Sequence, residues 1–500
     1  MTSPATYGTS GFGDADPIVT GWPRDRPAYE SLAAAVQGEC GRWNVPGLAV
    51  GILRGSEIET TSAGFANLAT RQPMTDDTIG QIGSISKIFT ATLAMVLVED
   101  GLLDLDEPVA AYVPDLPLAD AAARTTITLR HLLSHTAGFE GDRFVSFGRG
   151  DDALARAIAG FGSLRQWTAP GDLWSYCNAG FYLVSRIIEV VAGQPFETVF
   201  RERLVEPLGL ETTFFFPEDV ITRPHAVGHY LKRREEGHVM AHGYAFPRHV
   251  NGTGGVVTST REVLRFAQLH LGDGEIDGAR LLSAASAQAM REPLTEAGDF
   301  YRNYGLGWCV HEYPDFRTIG HGGATRGFRA NLTMIPERDF TIVILANGEA
   351  GSRAIQEIEA WALGRYLDVA RPVPDRVKRS GKQLKDVAGI YRRHDGTFTV
   401  SVVDDRLNLD VVDLDEETGE VEDERTYPLV AVGKRRYQVP DGPNRHAIVD
   451  FIEYDGNGPR QHFLRMGGRL AERLDAPSKA SKGATARGKM PRASGKGKKK

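Results

Sequence analysis

Ser84 and Lys87 stand three residues apart in G-S-I-S-K-I-F-T-A-T-L-A-M, and no other serine in the chain has a lysine at that spacing. A serine is a poor nucleophile at neutral pH and needs a base within hydrogen-bond reach. A lysine partly sheltered from water has a lowered pKa and can be that base. Ile88, Leu93, Ala94, Leu97 and Val98 follow as the buried body of a helix, which puts Gly83 and Ser84 at its start. Residues three apart share a helix face, so hydroxyl and amine would stand side by side at the first turn. The free N–H groups there would suit a developing oxyanion. A chain of this length holds about one such pair by chance, so other residues have to join it.

Two further clusters could. Tyr176-Cys177-Asn178 lies just ahead of the apolar run G-F-Y-L-V-S-R-I-I-E. A tyrosine near a lysine is pushed toward phenolate and can shuttle protons, and an asparagine offers both a donor and an acceptor to a substrate amide. The plainer reading is a packed tyrosine and a turn asparagine before a helix. Tyr301-Arg302-Asn303 repeats the spacing but precedes a strand, and ranks below. His321-Gly322-Gly323 sits between two predicted strands. Glycines there let a substrate approach the strand edge, and a backbone N–H can complete an oxyanion hole; the plainer reading is a hairpin bend beside a surface histidine. His131 and His135 are four apart, but no glutamate falls between them at the metalloprotease position. They are read as helix-end residues, with no metal. Cys40, Cys177 and Cys309 are odd in number and far apart, which argues against a disulfide framework or a zinc site. Cys177 is expected to point into the core.

The elements that must position these residues follow from the pattern. Tyr29 to Trp43 reads as a helix, and P-G-L-A-V-G-I-L-R-G and E-I-E-T-T-S-A-G-F-A-N-L as two strands joined near Gly55-Ser56. Residues 105–250 alternate helical segments with loops. A helix capped by Thr258, Ser259 or Thr260 follows, then four short β-branched segments up to Glu349 and a closing helix over 352–367. Strands at both ends of a helical block predict one α+β unit, an antiparallel sheet completed from both ends with a helical insertion and a crevice between them. Residues 1–25 read as a loose arm and 26–368 as the main domain. After a linker with Pro372 and Pro374, residues 383–475 read as a separate all-β barrel or sandwich.

The chain has 500 residues, 41% hydrophobic and 25% charged, which fits a soluble globular protein of two or three domains. Residues 477–500 carry seven Lys, two Arg and no acid; against a net charge of −7 this leaves −16 on the remainder. That tail is expected to be disordered and solvated, with no specific nucleic-acid partner. The start has no charged or apolar signal region, and no apolar stretch reaches membrane length, so a cytoplasmic protein is expected.

Taken in order, S-x-x-K, Y-x-N and a strand with a basic residue, any residue and Gly resemble the serine β-lactamase and penicillin-binding-protein superfamily. The segments I-T-L-R-H-L-L-S-H-T-A-G-F, A-P-G-D-L-W-S-Y-C-N-A-G-F-Y-L-V-S-R-I-I-E, G-T-G-G-V-V-T-S-T-R-E-V-L-R-F-A and G-H-G-G-A-T-R-G-F are similar to those of its class C β-lactamase, D,D-peptidase and esterase branch, over about residues 30–367. The resemblance implies a β-lactamase-like fold, with Ser84 as the acylated nucleophile, Lys87 taking its proton and Tyr176 as their proton relay. It implies that Asn178 contacts the substrate amide or orients Lys87, that Ser84 and Ala324 supply oxyanion N–H groups, and that Gly322 and Gly323 keep the strand edge open. His321 stands where class C β-lactamases have lysine. A partly protonated histidine would hold a carboxylate less firmly, so antibiotic hydrolysis is not the expected main activity. The C-terminal unit is similar to the lipocalin-like barrel of some members, which packs at the site mouth or builds an oligomer. The expected activity is hydrolysis of small amides, esters or short peptides through an acyl-enzyme, without a cofactor. The alternatives are a binding or assembly module of the same fold and an acyltransferase.

Overall fold

The computed structural model describes residues 28–231, 237–298, 302–369, 374–415, 418–441, 445–456 and 460–474. The expected N-terminal arm and basic tail, Tyr301 and Pro372 lie outside the described residues.

Strands from both ends of the main unit meet in one antiparallel sheet. Its spatial order is Thr295–Gly298, Arg302–Tyr304, Cys309–Glu312, Arg317–Thr325, Phe328–Ile335, Phe340–Ala346, Gly47–Arg54, Glu57–Asn67 and Gln72–Pro73. The two ends join where Gly47–Arg54 pairs with Phe340–Ala346, with Val50 opposite Ile344. Both strands are apolar along their length because both faces of the sheet are covered. Successive strand residues point to opposite faces. Ile342 and Ile344 pack with the helices Leu32–Arg42 and Gly351–Leu367. Val343 and Leu345 pack on the other side, with the helical block.

The helix Ser86–Glu99 runs through the middle of that block. It is buried on every face from Ser86 to Leu97, as a largely apolar helix surrounded by protein is. Asn178–Ala192 and Thr260–Leu271 flank it, the latter capped by Ser259, whose Oγ accepts from the Glu262 N–H.

Residues Gly389–Leu474 form a closed eight-stranded barrel. Closure comes from pairing the first strand with the last, Ile390 opposite Leu474, which leaves no open sheet edge. Tyr391, Phe398, Leu409 and Phe451 are among the residues that fill it. The start of this unit departs from the all-β expectation: Gly381–Val387 is a helix. Ser380 and Gln383 cap it reciprocally, and that local signal fixes the first turn.

The barrel is seated on the helical block. Trp167 packs with Phe463 and Leu470, Arg165 pairs with Glu472, and Tyr454 Oη donates to Asp172 at 2.6 Å. A hairpin at Gly467-Gly468, both with positive φ, joins Gln461–Met466 to Arg469–Leu474. Among the described residues no helix is long and apolar enough to cross a membrane.

Candidate active site

Ser84 lies at the start of the buried helix, in a single 3₁₀ turn, Gly83–Ile85, that leads into Ser86–Glu99. The turn is held tightly. Ser86 Oγ donates to Gly83 O at 2.6 Å and accepts from the Val256 N–H at 3.1 Å. Ser84 is half-buried at the crevice while Lys87 is wholly buried beneath it. Lys87 Nζ lies 3.0 Å from Ser84 Oγ and donates at 3.0 Å to Thr253 O, on the short helix Asn251–Gly254. The pairing expected from the three-residue spacing is therefore present.

The strand Arg317–Thr325 closes on the same turn. A β-carbon on Gly323 would lie 1.9 Å from Ile82 O, and one on Gly83 would lie 2.6 Å from Ala324 N. Only glycine lets the two backbones approach so closely, and the approach brings the Ala324 amide to the Ser84 turn. Gly322 sits on the same strand, opposite Asn331. His321 is buried there, with its Nδ1 2.5 Å from Gly322 O. Burial, with Lys87 nearby and Arg469 beyond, lowers its pKa to about 3. Dry and cationic surroundings disfavour the imidazolium, so they point away from the partly protonated His321 that the sequence suggests.

Tyr176 completes the group. Its ring has Lys87 Nζ 4.8 Å and the Arg469 guanidinium 4.6 Å from its centroid, and His321 6.0 Å away ring to ring. Its backbone N–H donates to Gly468 O at 2.9 Å, so the barrel hairpin holds the tyrosine directly. Asn178 opens the helix Asn178–Ala192, capped by the Cys177 sulfur, which accepts from the Gly180 N–H at 3.4 Å. Burial pushes the Cys177 thiol up to about 12, which favours the protonated form over the reactive thiolate.

Asp142 ties the two domains together at this point. Its Oδ1 accepts from Asn178 Nδ2 at 2.5 Å and its Oδ2 from Arg469 Nε at 2.7 Å. Burial would raise this carboxyl, but Arg469, with His394 and Arg393 behind it, holds it below the ordinary range. A carboxylate only accepts, so it takes an N–H of the Asn178 amide and turns the amide carbonyl the other way. His394, from the barrel, lies 2.7 Å by Nδ1 from Glu140 Oε1 and 2.7 Å by Nε2 from Asp142 O. Burial opposes its charge, yet Glu140, Asp395 and Asp142 raise its pKa to about 9.

Ser84, Lys87, Tyr176, His321 and Gly323 therefore meet at one place, with Asn178 two residues beyond Tyr176 and with Gly322 and Ala324 on the same strand as His321. Sequence reasoning missed Thr253, Asp142, Gly468 and Arg469. The only local cue among them was the Gly467-Gly468 turn. Of the competing Y-x-N, Arg302 and Asn303 are described and lie on a sheet strand, where Asn303 Nδ2 donates to Glu312 at 2.7 Å. No group of His, Cys, Asp and Glu among the described residues is arranged to hold a metal ion.

Comparison with known proteins shows the family. The family model described as Beta-lactamase matches residues 32–365. Penicillin-binding protein 4 of Amycolatopsis lactamdurans is 33% identical over 361 residues, covering 71% of this chain and 94% of that protein. The unguisins hydrolase ungD′ of Aspergillus campestris is 25% identical over 378 residues, 70% of this chain and 67% of that protein. The crystal structure of SurE with D-Leu superposes with a TM-score of 0.72 at 26% identity, covering 89% of this chain and 98% of that one.

Proposed function

This chain belongs to the beta-lactamase family of serine hydrolases, and from that premise we propose that it cleaves small amides or esters through an acyl-enzyme on Ser84. The observation that carries the reading is Lys87 Nζ, wholly buried and 3.0 Å from Ser84 Oγ. Once unprotonated, Lys87 Nζ takes the Ser84 proton as Oγ attacks the acyl carbon. The Ser84 and Ala324 N–H groups receive the developing oxyanion. The proton returns through Lys87 and Tyr176 to the leaving nitrogen or oxygen, and the acyl–leaving-group bond breaks. In deacylation Lys87 and Tyr176 take a proton from water as its oxygen bonds to the acyl carbon, the acyl–Oγ bond breaks, that proton passes to Ser84 Oγ, and the free acid departs.

The reading extends to substrate class. A neutral His321 offers no formal charge to a carboxylate beside the strand edge, which argues against β-lactams as the main substrates. D-Leu in the SurE structure supports a substrate with a D-residue at the scissile bond. Short D-aminoacyl or D-peptidyl amides and esters are the proposed substrates. Transfer of the acyl group to an amine would use the same intermediate. The test is a matched panel of D- and L-aminoacyl p-nitroanilides and esters with wild type and Ser84→Ala. D-selective turnover that vanishes in the variant supports the proposal. Equal turnover by both proteins, or preference for the L-series, counts against it.

A further inference from the structure

We propose that His135 is the positioning residue of Tyr176, fixing the backbone on both sides of the tyrosine and one face of its ring. The inference rests on the reading of Tyr176 as proton relay and extends it. His135 lies just beyond the short helix Leu129–Leu133, with a φ of +58°. That left-handed region is uncommon for a residue with a side chain, and Asn, Asp and His tolerate it best.

Three consecutive amides around the tyrosine are bonded to alternate sides. Ser175 N–H donates to His135 O at 3.0 Å, and Tyr176 N–H to Gly468 O of the barrel at 2.9 Å. Cys177 N–H donates to His135 Nδ1 at 3.2 Å. The segment is therefore clamped between His135 and the hairpin. The His135 ring also lies 4.4 Å from the Tyr176 ring, with Tyr304 at 4.9 Å and Phe181 at 5.2 Å around it. Because Nδ1 accepts a backbone N–H, the proton of the neutral ring sits on Nε2. Complete burial, then the charge of Lys87, hold this imidazole well below its ordinary pKa, which keeps the acceptor available. The neighbouring His131 plays no part in the clamp, because its Nδ1 accepts the Thr128 N–H at 3.2 Å within its own helix cap.

The test uses His135→Asn and His135→Gly in the full chain. Asparagine puts Oδ1 where Nδ1 stood and tolerates the left-handed backbone; glycine keeps the backbone but removes the acceptor. Three quantities are read: the rate of Ser84 labelling by a fluorophosphonate, kcat and KM on p-nitrophenyl acetate, and amide hydrogen exchange of the peptide containing Cys177. His135→Gly is expected to lose about 10- to 100-fold in labelling rate and kcat with little change in KM, as for a displaced catalytic group. Its Cys177 amide should exchange faster. His135→Asn should recover most of the rate and protection despite lacking the ring. If His135→Gly melts below assay temperature, all three quantities are read for every protein at a temperature below its melting point. Equal losses in both variants, or wild-type rates in the acceptor-free one, would overturn the proposal. A wild type that is never labelled would instead remove the serine-hydrolase reading. The exchange measurement would still decide whether His135 holds the segment.

Discussion

Gly323→Ala adds one methyl group at the seam between strand and nucleophile. Its carbon would stand 1.9 Å from Ile82 O, where a real contact needs at least 3.0 Å, so strand and turn must part by more than 1 Å. Backbone lies on both sides and neither can swing away as a flexible side chain would. The displaced residue adjoins Ala324, whose amide is the proposed second oxyanion donor. Losing one such donor costs about 10²–10³ in kcat, and overpacking costs about 1–3 kcal/mol of stability. Gly272→Ala is the matched control: its methyl carbon would meet the backbone Glu275 O at 2.2 Å, just past the helix Thr260–Leu271 and on no residue of the site. Both variants should melt earlier than wild type. Only Gly323→Ala should lose two to three orders of magnitude in p-nitrophenyl ester turnover, on the scale of a lost oxyanion donor. Equal activity losses in the two, or near-wild-type kcat in Gly323→Ala, would refute the argument that this contact sets the oxyanion geometry.

Three other outcomes are expected. Asp142→Ala leaves the Arg469 guanidinium without its carboxylate and frees the Asn178 amide; chemical denaturation should show a loss of about 3–5 kcal/mol, as for a broken buried pair, with catalysis also reduced. His394 has a folded pKa raised from 6.5 to about 9. Its contribution to stability is therefore full below about pH 6.5 and disappears as pH rises through about 9. Wild type should lose stability over that window and His394→Gln should lose less, measured by melting at fixed ionic strength. Cys177, buried and with a thiol pushed up to about 12, should resist iodoacetamide at pH 8 in the folded protein, with no effect on activity; rapid alkylation read by mass spectrometry would contradict this.

Much of the fold was legible because its signals are local. The β-branched runs around residue 345 and the uniformly apolar stretch after Lys87 state their burial directly. Ser84 and Lys87 could be paired from spacing alone, since a 3₁₀ turn running into a helix keeps residues three apart together. Gly323 also announced a close approach, though not to which backbone. The remainder of the site is assembled by long-range contact. Thr253 reaches Lys87 by a carbonyl that any residue could supply. Asp142 and Arg469 look like ordinary loop and strand charges until the barrel docks, and Gly468 acts only through its backbone. The lowered pKa of His321 was not legible for the same reason, because it comes first from burial and then from Lys87 and Arg469, residues remote in sequence. The barrel's leading helix was missed because a seven-residue element set by one capping box is too short to show a period.

The most direct test of the central claim is intact-mass analysis after exposure to a fluorophosphonate, with peptide mapping. The account predicts one adduct, on Ser84, formed by folded wild type and lost in folded Lys87→Ala. Folded wild type without an adduct, an adduct elsewhere, or undiminished labelling in Lys87→Ala would contradict an activated Ser84–Lys87 pair.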